Sequence, residues 1–411
     1  MKKLFFSLSA LVLLAATIAG CKKDKEILVS GNVTATSLPI EGVLVTAEGA
    51  VIDTANTDAA GDYEISVAKN GRLKFEKSGY SALTIEVDGE TTINATLALS
   101  AFAAYFATEG NEVVDPAFSS GTLQPSSANL PTAATPADAW FTATNYIGAV
   151  DPSGAAWYAG WSFFDRLISG NTTSASLSLP ANVVTVTDAS LNGGADSIYW
   201  TNDNLYKLSG FVFVNSGKTL FIEEGTIIQG ISGTGSNASA LIVARGAKIY
   251  AEGTASEPII FTFDGDNGGS SATTRGQWGG LIVLGNATLN SAPGTTQIEG
   301  IPTSETRGNY GGTDDADNSG VIRYVSIRHG GTNIGADNEI NALTLGGVGS
   351  GTTVEYVETV GNADDGIECF GGAVNIRYAI SAYCADDSYD YDEGYRGKNQ
   401  FLIIFQDPTS G

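Results

Sequence analysis

The chain has 411 residues and carries 45 acidic side chains against 21 basic ones, a formal net charge of −24 at pH 7. A surface this acidic excludes strong attraction to nucleic acid or to anionic lipid headgroups. One histidine and three cysteines cannot build a conventional zinc site, and a serine hydrolase would have only His329 as its base. A lone histidine of this kind is expected to be structural.

Residues 1–20 have the features of a secretory signal. Lys2 and Lys3 precede the apolar run LFFSLSALVLLAA, which is too short to span a membrane, and TIAGC then ends in a cysteine. This pattern resembles bacterial lipoprotein signals, which implies cleavage before Cys21 and lipidation of its thiol.

Residues 21–26, CKKDKE, would then form a lipidated tether. Charged segments of this kind resemble the surface-export signal of outer-membrane lipoproteins, although a solvated tether alone explains the charges equally. The expected location is the outer membrane, with a lipid anchor as the contact to the membrane and the protein on the cell surface.

Residues 27–97 alternate short β-rich runs with Gly, Asp and Pro turns, a pattern that predicts a small antiparallel β-sandwich. The stretches PIEGV from Pro39, TDAAGDY from Thr57 and KSGY from Lys77 resemble the signature of the carboxypeptidase regulatory-like (transthyretin-like) domain. The resemblance implies a stalk or spacer without chemistry of its own.

Residues 98–205 are predicted to be a linker and an aromatic-rich capping region. The stretch PSSANLPTAATPADAW is typical of a linker, and Trp140, Trp157 and Trp161 follow it. Exposed aromatic rings can stack on sugars, but rings at this density more often cover a hydrophobic core. We expect them to cover the open end of the next domain.

Residues 206–411 contain β-rich units that recur at intervals of roughly 20 to 40 residues, such as LIVARGAKIYAEG, LIVLGNATLNS, IRYVSI, VEYVET and IRYAIS. Such recurrence is typical of a solenoid. The predicted fold class is therefore all-β, a right-handed parallel β-helix preceded by a small antiparallel β-sandwich. The alignment predicts two columns of stacked side chains, an aromatic one and one of alternating charge: Tyr324, Tyr356 and Tyr378, and Arg323, Glu355 and Arg377.

The apolar run FLIIF lies close to the end of the given sequence. A solenoid whose last coil lacks a cap exposes a strand edge. We therefore expect either that the sequence stops short of the natural C-terminus or that a protein partner covers the C-terminal edge of the helix.

Cys369 and Cys384 are the two cysteines besides Cys21. A disulfide between them is allowed outside the cytoplasm. Isolated cysteines in apolar surroundings are more often packed thiols, and we expect that state here.

Two aspartate pairs lie 22 residues apart, which is one coil of a β-helix of this kind. Equivalent positions on adjacent coils would place their carboxylates roughly 5 to 7 Å apart, where like charges repel and raise pKa values. A calcium ion with oxygen ligands would neutralise them, whereas the alternative is a solvated acidic turn. The candidate ligands are Asp364, Asp365, Asp386, Asp387 and Asp390, with Asp392 and Glu393 within reach.

A second acidic stretch, DDADNSG from Asp314, has the first spacings of a calcium loop at Asp315, Asp317 and Ser319. The bidentate glutamate expected at the twelfth position is replaced by Ser326. We therefore interpret this stretch as a surface turn.

The ladder of DDG and then DDxxD resembles that of calcium-dependent polysaccharide lyases built on the parallel β-helix. The resemblance implies calcium on a uronic acid carboxylate and a Lys or Arg that removes the adjacent carbon-bound proton. Lys398 and Arg396 are the candidate bases, and no surrounding motif assigns the role to either. Paired carboxylates would also allow glycoside hydrolysis. A sugar groove beside them would be lined by Tyr389, Tyr391 and Tyr395.

The chain is similar to a group of β-helix surface lipoproteins with no assigned activity. The similarity extends from the signal segment TIAGC through NYIGA, WYAGW, GQWGGLIVLG and DDGIECFGG. The function we predict is a cell-surface lipoprotein that presents a calcium-stabilised β-helix for binding glycans or other surface partners. The alternatives are a calcium-dependent polysaccharide lyase or glycoside hydrolase, and a purely structural spacer. A positioned base in an open groove would favour the enzyme, and a ladder closed by its own backbone would favour the binding role.

Overall fold

The computed structural model describes residues 25–35, 38–101, 117–118, 121–126, 136–335 and 340–407. The predicted signal peptide, Cys21 and most of the tether lie outside these residues. Within the described ranges, no helix has both the length and the apolar character needed to cross a membrane. The chain divides into two compact units, Met1–Asp115 and Pro116–Gly411.

The first unit consists of short strands whose residues alternate between buried and exposed. They are β1 (Glu26–Ala35), β2 (Leu38–Pro39), β3 (Leu44–Glu48), β4 (Asp53–Asn56), β5 (Asp62–Ala68), β6 (Arg72–Glu76), β7 (Leu83–Glu86) and β8 (Ala95–Thr96). Two antiparallel sheets form, in the orders β2-β1-β5 and β4-β3-β6-β7, and β8 joins β1 in parallel. Val29, Val45 and Phe75 lie at the centre of their shared core. These sheets confirm the small antiparallel β-domain that precedes the helix.

The second unit is built from parallel strands with few helices. Its helices are α1 (Phe163–Ile168) and α2 (Asp188–Asn192), with 3-10 turns at Gly235–Asn237 and Thr306–Gly308. Its strands are β9 (Asn182–Val186), β10 (Ser197–Trp200), β11 (Asn204–Leu208), β12 (Phe211–Val214), β13 (Thr219–Ile222), β14 (Ile227–Gly230), β15 (Ala240–Val243), β16 (Lys248–Glu252), β17 (Ile259–Phe263), β18 (Leu281–Leu284), β19 (Thr296–Gln297), β20 (Asn309–Tyr310), β21 (Gly320–Arg328), β22 (Leu343–Gly346), β23 (Thr353–Val360), β24 (Ile367–Phe370), β25 (Asn375–Ala382), β26 (Tyr389–Asp392) and β27 (Asn399–Phe405).

Apart from β19 and β20, which form a separate antiparallel pair, these strands stack in parallel along three faces of a coil. The first face contains β10, β13 and β16, and the second contains β9, β11, β14 and β17. The third face contains β12, β15, β18, β22, β24 and β26. From β21 onward one long strand spans the first two faces, since β21 pairs with both β16 and β17. The all-β class and the parallel β-helix are thus confirmed.

The parallel sheet begins at β9, earlier than the predicted boundary at residue 206. β9 pairs with β11 in register, with Leu205 opposite Val183. The sequence NVVTV gives a weak signal because β9 is a terminal strand, so half of the Val183 side chain is exposed. Apolar periodicity depends on burial on both sides and fades at the end of a solenoid.

The predicted aromatic column forms the bend in the long strands. Tyr324 stacks on Tyr356 and Tyr356 on Tyr378, with ring centroids 4.4 and 4.5 Å apart. All three residues have left-handed backbones, with φ of 49°, 54° and 58°. A left-handed residue turns the strand from the first face to the second, and the stacked rings offset part of its cost.

The predicted column of alternating charge is also present. The Arg323 Nη2 atom lies 2.7 Å from Glu355 Oε1, and Arg377 Nη2 lies 3.5 Å from Glu355 Oε2. Because each charge has an opposite neighbour on the next coil, the column stabilises the register.

The aromatic segment before the helix lies against its side rather than over its open end. Trp157 meets Tyr356 and Tyr378 at 6.3 and 5.4 Å between ring centroids, and Trp161 meets Tyr324 at 5.5 Å. The expectation of an end cap is therefore corrected. The outward tyrosine column is itself a large apolar surface, and burying it stabilises the bend in the long strands.

Candidate carboxylate site

The aspartate pairs lie in equivalent turns of two neighbouring coils. Asp364 and Asp365 precede β24, and Asp386 and Asp387 precede β26. The Asp387 amide donates to Asp365 Oδ1 at 2.8 Å, and the Gly366 amide donates to the Asp387 carbonyl oxygen at 2.9 Å. The two pairs therefore occupy the same corner of the coil, one above the other.

Two groups of carboxylates share Asp365. Oxygen atoms of Asp364, Asp365 and Asp386 lie within 4.8 Å of one another, and so do oxygens of Asp365, Glu368 and Asp390. Glu368 stands opposite Asp390 in the register of β24 and β26. Asp365 thus belongs both to the group in the turns and to the group formed by Glu368 and Asp390 on the third face.

Sequence reasoning placed Asp387, Asp392 and Glu393 with these carboxylates, and the structure places them in neither group. Asp387 contributes backbone contacts to the corner. Glu368 was missed because it lies in the apolar run DGIECF. The parallel register with Asp390, one coil later, was the signal that could have revealed it.

Burial gives two of these carboxyl groups unusual titration behaviour. Asp365 and Glu368 are 7% and 6% exposed. Burial, together with the negative charges of Asp364, Asp390 and Asp386, raises the pKa of Asp365 to about 7, although the hydrogen bond from the Asp387 amide lowers it. Burial, and next the charge of Asp365, raises the pKa of Glu368 to about 9. Proton binding is favoured here at neutral pH when no cation is bound.

Asn341 supplies an uncharged oxygen beside these carboxylates. Its Nδ2 donates to Glu368 Oε2, and its Oδ1 is buried with no hydrogen-bond partner among the described residues. No ion pair within the described ranges includes Asp365, Glu368 or Asp390. Buried oxygen atoms that lack donors are costly unless a cation or water binds them. A set made of carboxylate and amide oxygens fits the ligands that calcium takes.

The structure does not bring the two candidate bases to this site. Lys398 Nζ lies 2.5 Å from Asp138 Oδ2, and Arg396 Nη2 lies 2.7 Å from Asp315 Oδ1. Both cations are already paired with carboxylates, so neither is a positioned proton acceptor beside Asp365.

Of the three candidate sugar-binding tyrosines, Tyr389 and Tyr395 are partly buried against the core, and Tyr391 is 44% exposed on the side of its strand away from Asp390. Side chains alternate along a strand, so Tyr389 and Tyr391 lie on the opposite side of β26 from Asp390. The Tyr389 hydroxyl donates to the Ile403 carbonyl oxygen at 3.2 Å, and the Tyr395 hydroxyl donates to that of Val374 at 2.8 Å. Tyr389 and Tyr395 pack against the interior core, and Tyr391 stacks on Tyr395 at 5.0 Å between centroids.

The residues interpreted as structural are built into the fold. Cys369 and Cys384 are buried free thiols. His329 is fully buried between the rings of Phe163 and Phe263. None of the three is accessible for chemistry.

The second acidic stretch forms a turn held by its own contacts. Asp315 Oδ1 accepts from the Thr288 amide at 2.9 Å, and Asp317 Oδ1 accepts from Asn286 Nδ2 at 3.0 Å. The Ser319 hydroxyl donates to Asp317 Oδ2 at 3.1 Å. These carboxylates already have partners, as the turn interpretation predicts.

The raised pKa values predict that the cation-free protein loses stability as the pH rises. A carboxyl group whose pKa is raised by folding stabilises the native state at low pH, and this contribution is lost as the pH passes through the folded pKa. The pKa values rise from about 4 in the unfolded chain to about 7 for Asp365 and about 9 for Glu368, so we expect the free energy of unfolding to decline between about pH 4 and pH 9. Urea unfolding in a chelator at several pH values measures it.

The matched control for this decline is Glu368→Gln, whose side chain can still accept the bond from Asn341. We expect the decline to become shallower in this variant above pH 7, because the group that titrates there is gone. A stability that is independent of pH in the parent, or an unchanged decline in the variant, would contradict the assignment.

Comparison with known proteins gives one match. Residues 194–410 match the family model described as a pectate-lyase like beta helix domain, which covers more than half of the chain. No curated protein and no solved structure matches the chain.

Proposed function

Because the chain belongs to the pectate-lyase like beta helix domain family, we propose that it binds polysaccharide on its β-helix and that a bound calcium ion stabilises this helix. The family supports the polysaccharide part of this proposal. The calcium part is carried by the position of Asp365, whose buried carboxylate belongs to two groups of close oxygen atoms. Without a cation, several negative charges would face one another there at high pH.

Calcium suits this site better than the smaller magnesium ion. Calcium accepts six to eight oxygen ligands with loose geometry, whereas magnesium demands a near-ideal octahedron. Both carboxylate groups contain Asp365. An ion bound by Asp364, Asp365 and Asp386 could therefore also take ligands from Glu368 and Asp390. Such a site also explains why no basic side chain among the described residues forms an ion pair with Asp365.

The location in this proposal comes from the N-terminal sequence. Cleavage before Cys21 and lipidation of its thiol would attach the chain to the outer membrane, and the charged residues that follow would favour the cell surface. The lipid is then the contact with the membrane, and the β-helix is the part that meets glycans or surface partners, a protein at its C-terminal edge among them.

The lyase and glycosidase alternatives have less support. A lyase requires a base beside the bound sugar, and Lys398 and Arg396 are both paired elsewhere. The oxygens of each carboxylate group lie within 4.8 Å, closer than the roughly 6.5 to 9.5 Å of an inverting glycosidase and nearer to the roughly 5 to 5.5 Å of a retaining one. A retaining pair must meet the sugar, however, and Asp365 and Glu368 are both buried. Binding without catalysis is the better-supported function.

The test uses the form that lacks residues 1–21, applied to immobilised neutral and acidic polysaccharides with calcium or with a chelator. We expect retention on at least one polysaccharide without the ultraviolet absorbance of unsaturated products. Unsaturated products would replace the proposal by a lyase. Failure to bind any polysaccharide would contradict the proposal and leave the structural spacer as the remaining function.

A further inference from the structure

A cavity of about 530 Å³ lies at the turns that follow β12, β15 and β18. It is away from the carboxylate site, which lies on later coils of the same face. Its lining is polar and contains amides, hydroxyls and two guanidinium groups: Asn215, Ser216, Arg245, Asn286, Thr306, Arg307 and Asn309. A volume of this size is within the range of small-molecule sites.

The cavity follows from the register of the third face. β12 pairs with β15 and β15 with β18, so their turns stack and present equivalent positions along one edge. Gly217 and Gly246 have left-handed backbones, with φ of 83° at each, which lets these turns be tight. The segment Thr306–Asn309 forms the facing wall.

The charge of Arg307 is already balanced within the protein. Its Nη1 lies 2.9 Å from Asp188 Oδ2, and its Nη2 lies 2.6 Å from Glu305 Oε2. The guanidinium also lies over the Phe213 ring, 3.9 Å from the centroid. Arg307 is therefore a rigid part of the wall.

Arg245 differs because its charge is not balanced. Its Nη1 donates to the Gly311 carbonyl oxygen at 2.7 Å, and within the described residues it forms no ion pair. Because the chain has 45 acidic side chains, a basic residue without a carboxylate partner stands out. Three further polar side chains of the lining make no hydrogen bond to any described residue: Ser216, Thr306 and Asn309.

We propose that this cavity binds a sugar residue that carries one anionic group, with that group on Arg245. A guanidinium presents paired donors that match a carboxylate or a sulfate. The amide of Asn309 and the hydroxyls of Ser216 and Thr306 are suited to the sugar hydroxyls. The choice of a sugar rests on the proposed polysaccharide binding, and the binding at Arg245 does not require calcium.

The test is a ligand-observed NMR titration in a chelator, with glucuronate, glucose 6-sulfate and glucose as probes. We expect the anionic sugars to bind and glucose to bind at least several-fold more weakly. Arg245→Gln should weaken the anionic sugars by roughly tenfold or more, since a hydrogen bond to a charged group is lost. Asn309→Ala should weaken them by roughly threefold.

Arg166→Gln is the matched control, because Arg166 also makes one side-chain bond to a backbone oxygen, that of Thr173, at 3.0 Å. It should leave binding unchanged. Equal binding of glucose, or an unchanged affinity in Arg245→Gln, would overturn the inference. Because calcium is absent throughout, loss of this binding would leave the calcium proposal standing, and failure of calcium binding would leave this one standing.

Discussion

Calcium is expected to raise the midpoint of thermal unfolding by roughly 5–10 °C when its free concentration is a hundred times its dissociation constant. The ion binds the native carboxylate groups around Asp365 and has no equivalent site in the unfolded chain. It also replaces the protons that Asp365 and Glu368 hold at neutral pH, since burial and neighbouring charges raise their pKa values to about 7 and about 9. Differential scanning calorimetry with calcium and with a chelator measures the shift.

The shift should disappear in the double variant Asp365→Asn/Asp390→Asn. Asparagine at position 365 keeps the oxygen that accepts the Asp387 amide, so the turn should still form. The matched control is Asp387→Asn, because the carboxylate of Asp387 belongs to neither group. A calcium shift that survives in the double variant, or that is lost in the control, would place the ion elsewhere.

Glu358→Gln is expected to lower the free energy of unfolding by about 3–5 kcal/mol. Glu358 is fully buried between the helix α1 and the long strands. Its oxygens accept from the amides of Phe163 and Phe164 at 3.0 and 2.6 Å and from the Ser326 hydroxyl at 2.6 Å. The carboxylate therefore fastens the aromatic segment to the side of the coil.

The large cost comes from Arg328, which is buried near Glu358 and lies over the Phe163 ring at 5.5 Å. Burial lowers the pKa of Arg328, and the charge of Glu358 opposes this effect. Glutamine would remove the larger of the two negative charges that compensate the buried cation, and only that of Asp266 would remain. Ser326→Ala removes no charge, but it removes the hydroxyl that donates to Glu358 Oε2 and accepts from Arg328 Nε, and it should cost less, about 1.5–3 kcal/mol. Urea unfolding compares them, and equal costs would contradict the charge argument.

The sequence was informative where one coil repeats another. The tyrosine column and the charges of Arg323, Glu355 and Arg377 could be predicted because parallel strands place equivalent positions in contact. The same repetition placed Asp364 above Asp386. Repetition says nothing about the segment before the helix, so the side on which Trp157 and Trp161 pack was not predictable.

The candidate site could be predicted only in part. Some of its residues lie in a recognisable turn motif, whereas others are brought in only by the register of the strands. Asp365 was visible in its turn, but Glu368 depends on the outward side of a buried strand. Asn341 lies at the position equivalent to Asp365 on the preceding coil, since Leu343 pairs with Ile367, and it carries no charge that would have marked it. The side of the strand on which Tyr389 and Tyr391 lie was predictable. The alternation of Tyr, Asp, Tyr and Asp along β26 already puts tyrosines and aspartates on opposite sides.

The most direct test of the calcium site is a calorimetric titration of calcium at pH 7 in two buffers that differ in their heat of ionisation. The account predicts saturable binding with release of protons in the parent, because calcium displaces protons from Asp365 and Glu368, and neither binding nor release in Asp365→Asn/Asp390→Asn. An absence of binding in the parent, or binding that the double variant retains in full, would show that these carboxylates form a turn and hold no ion.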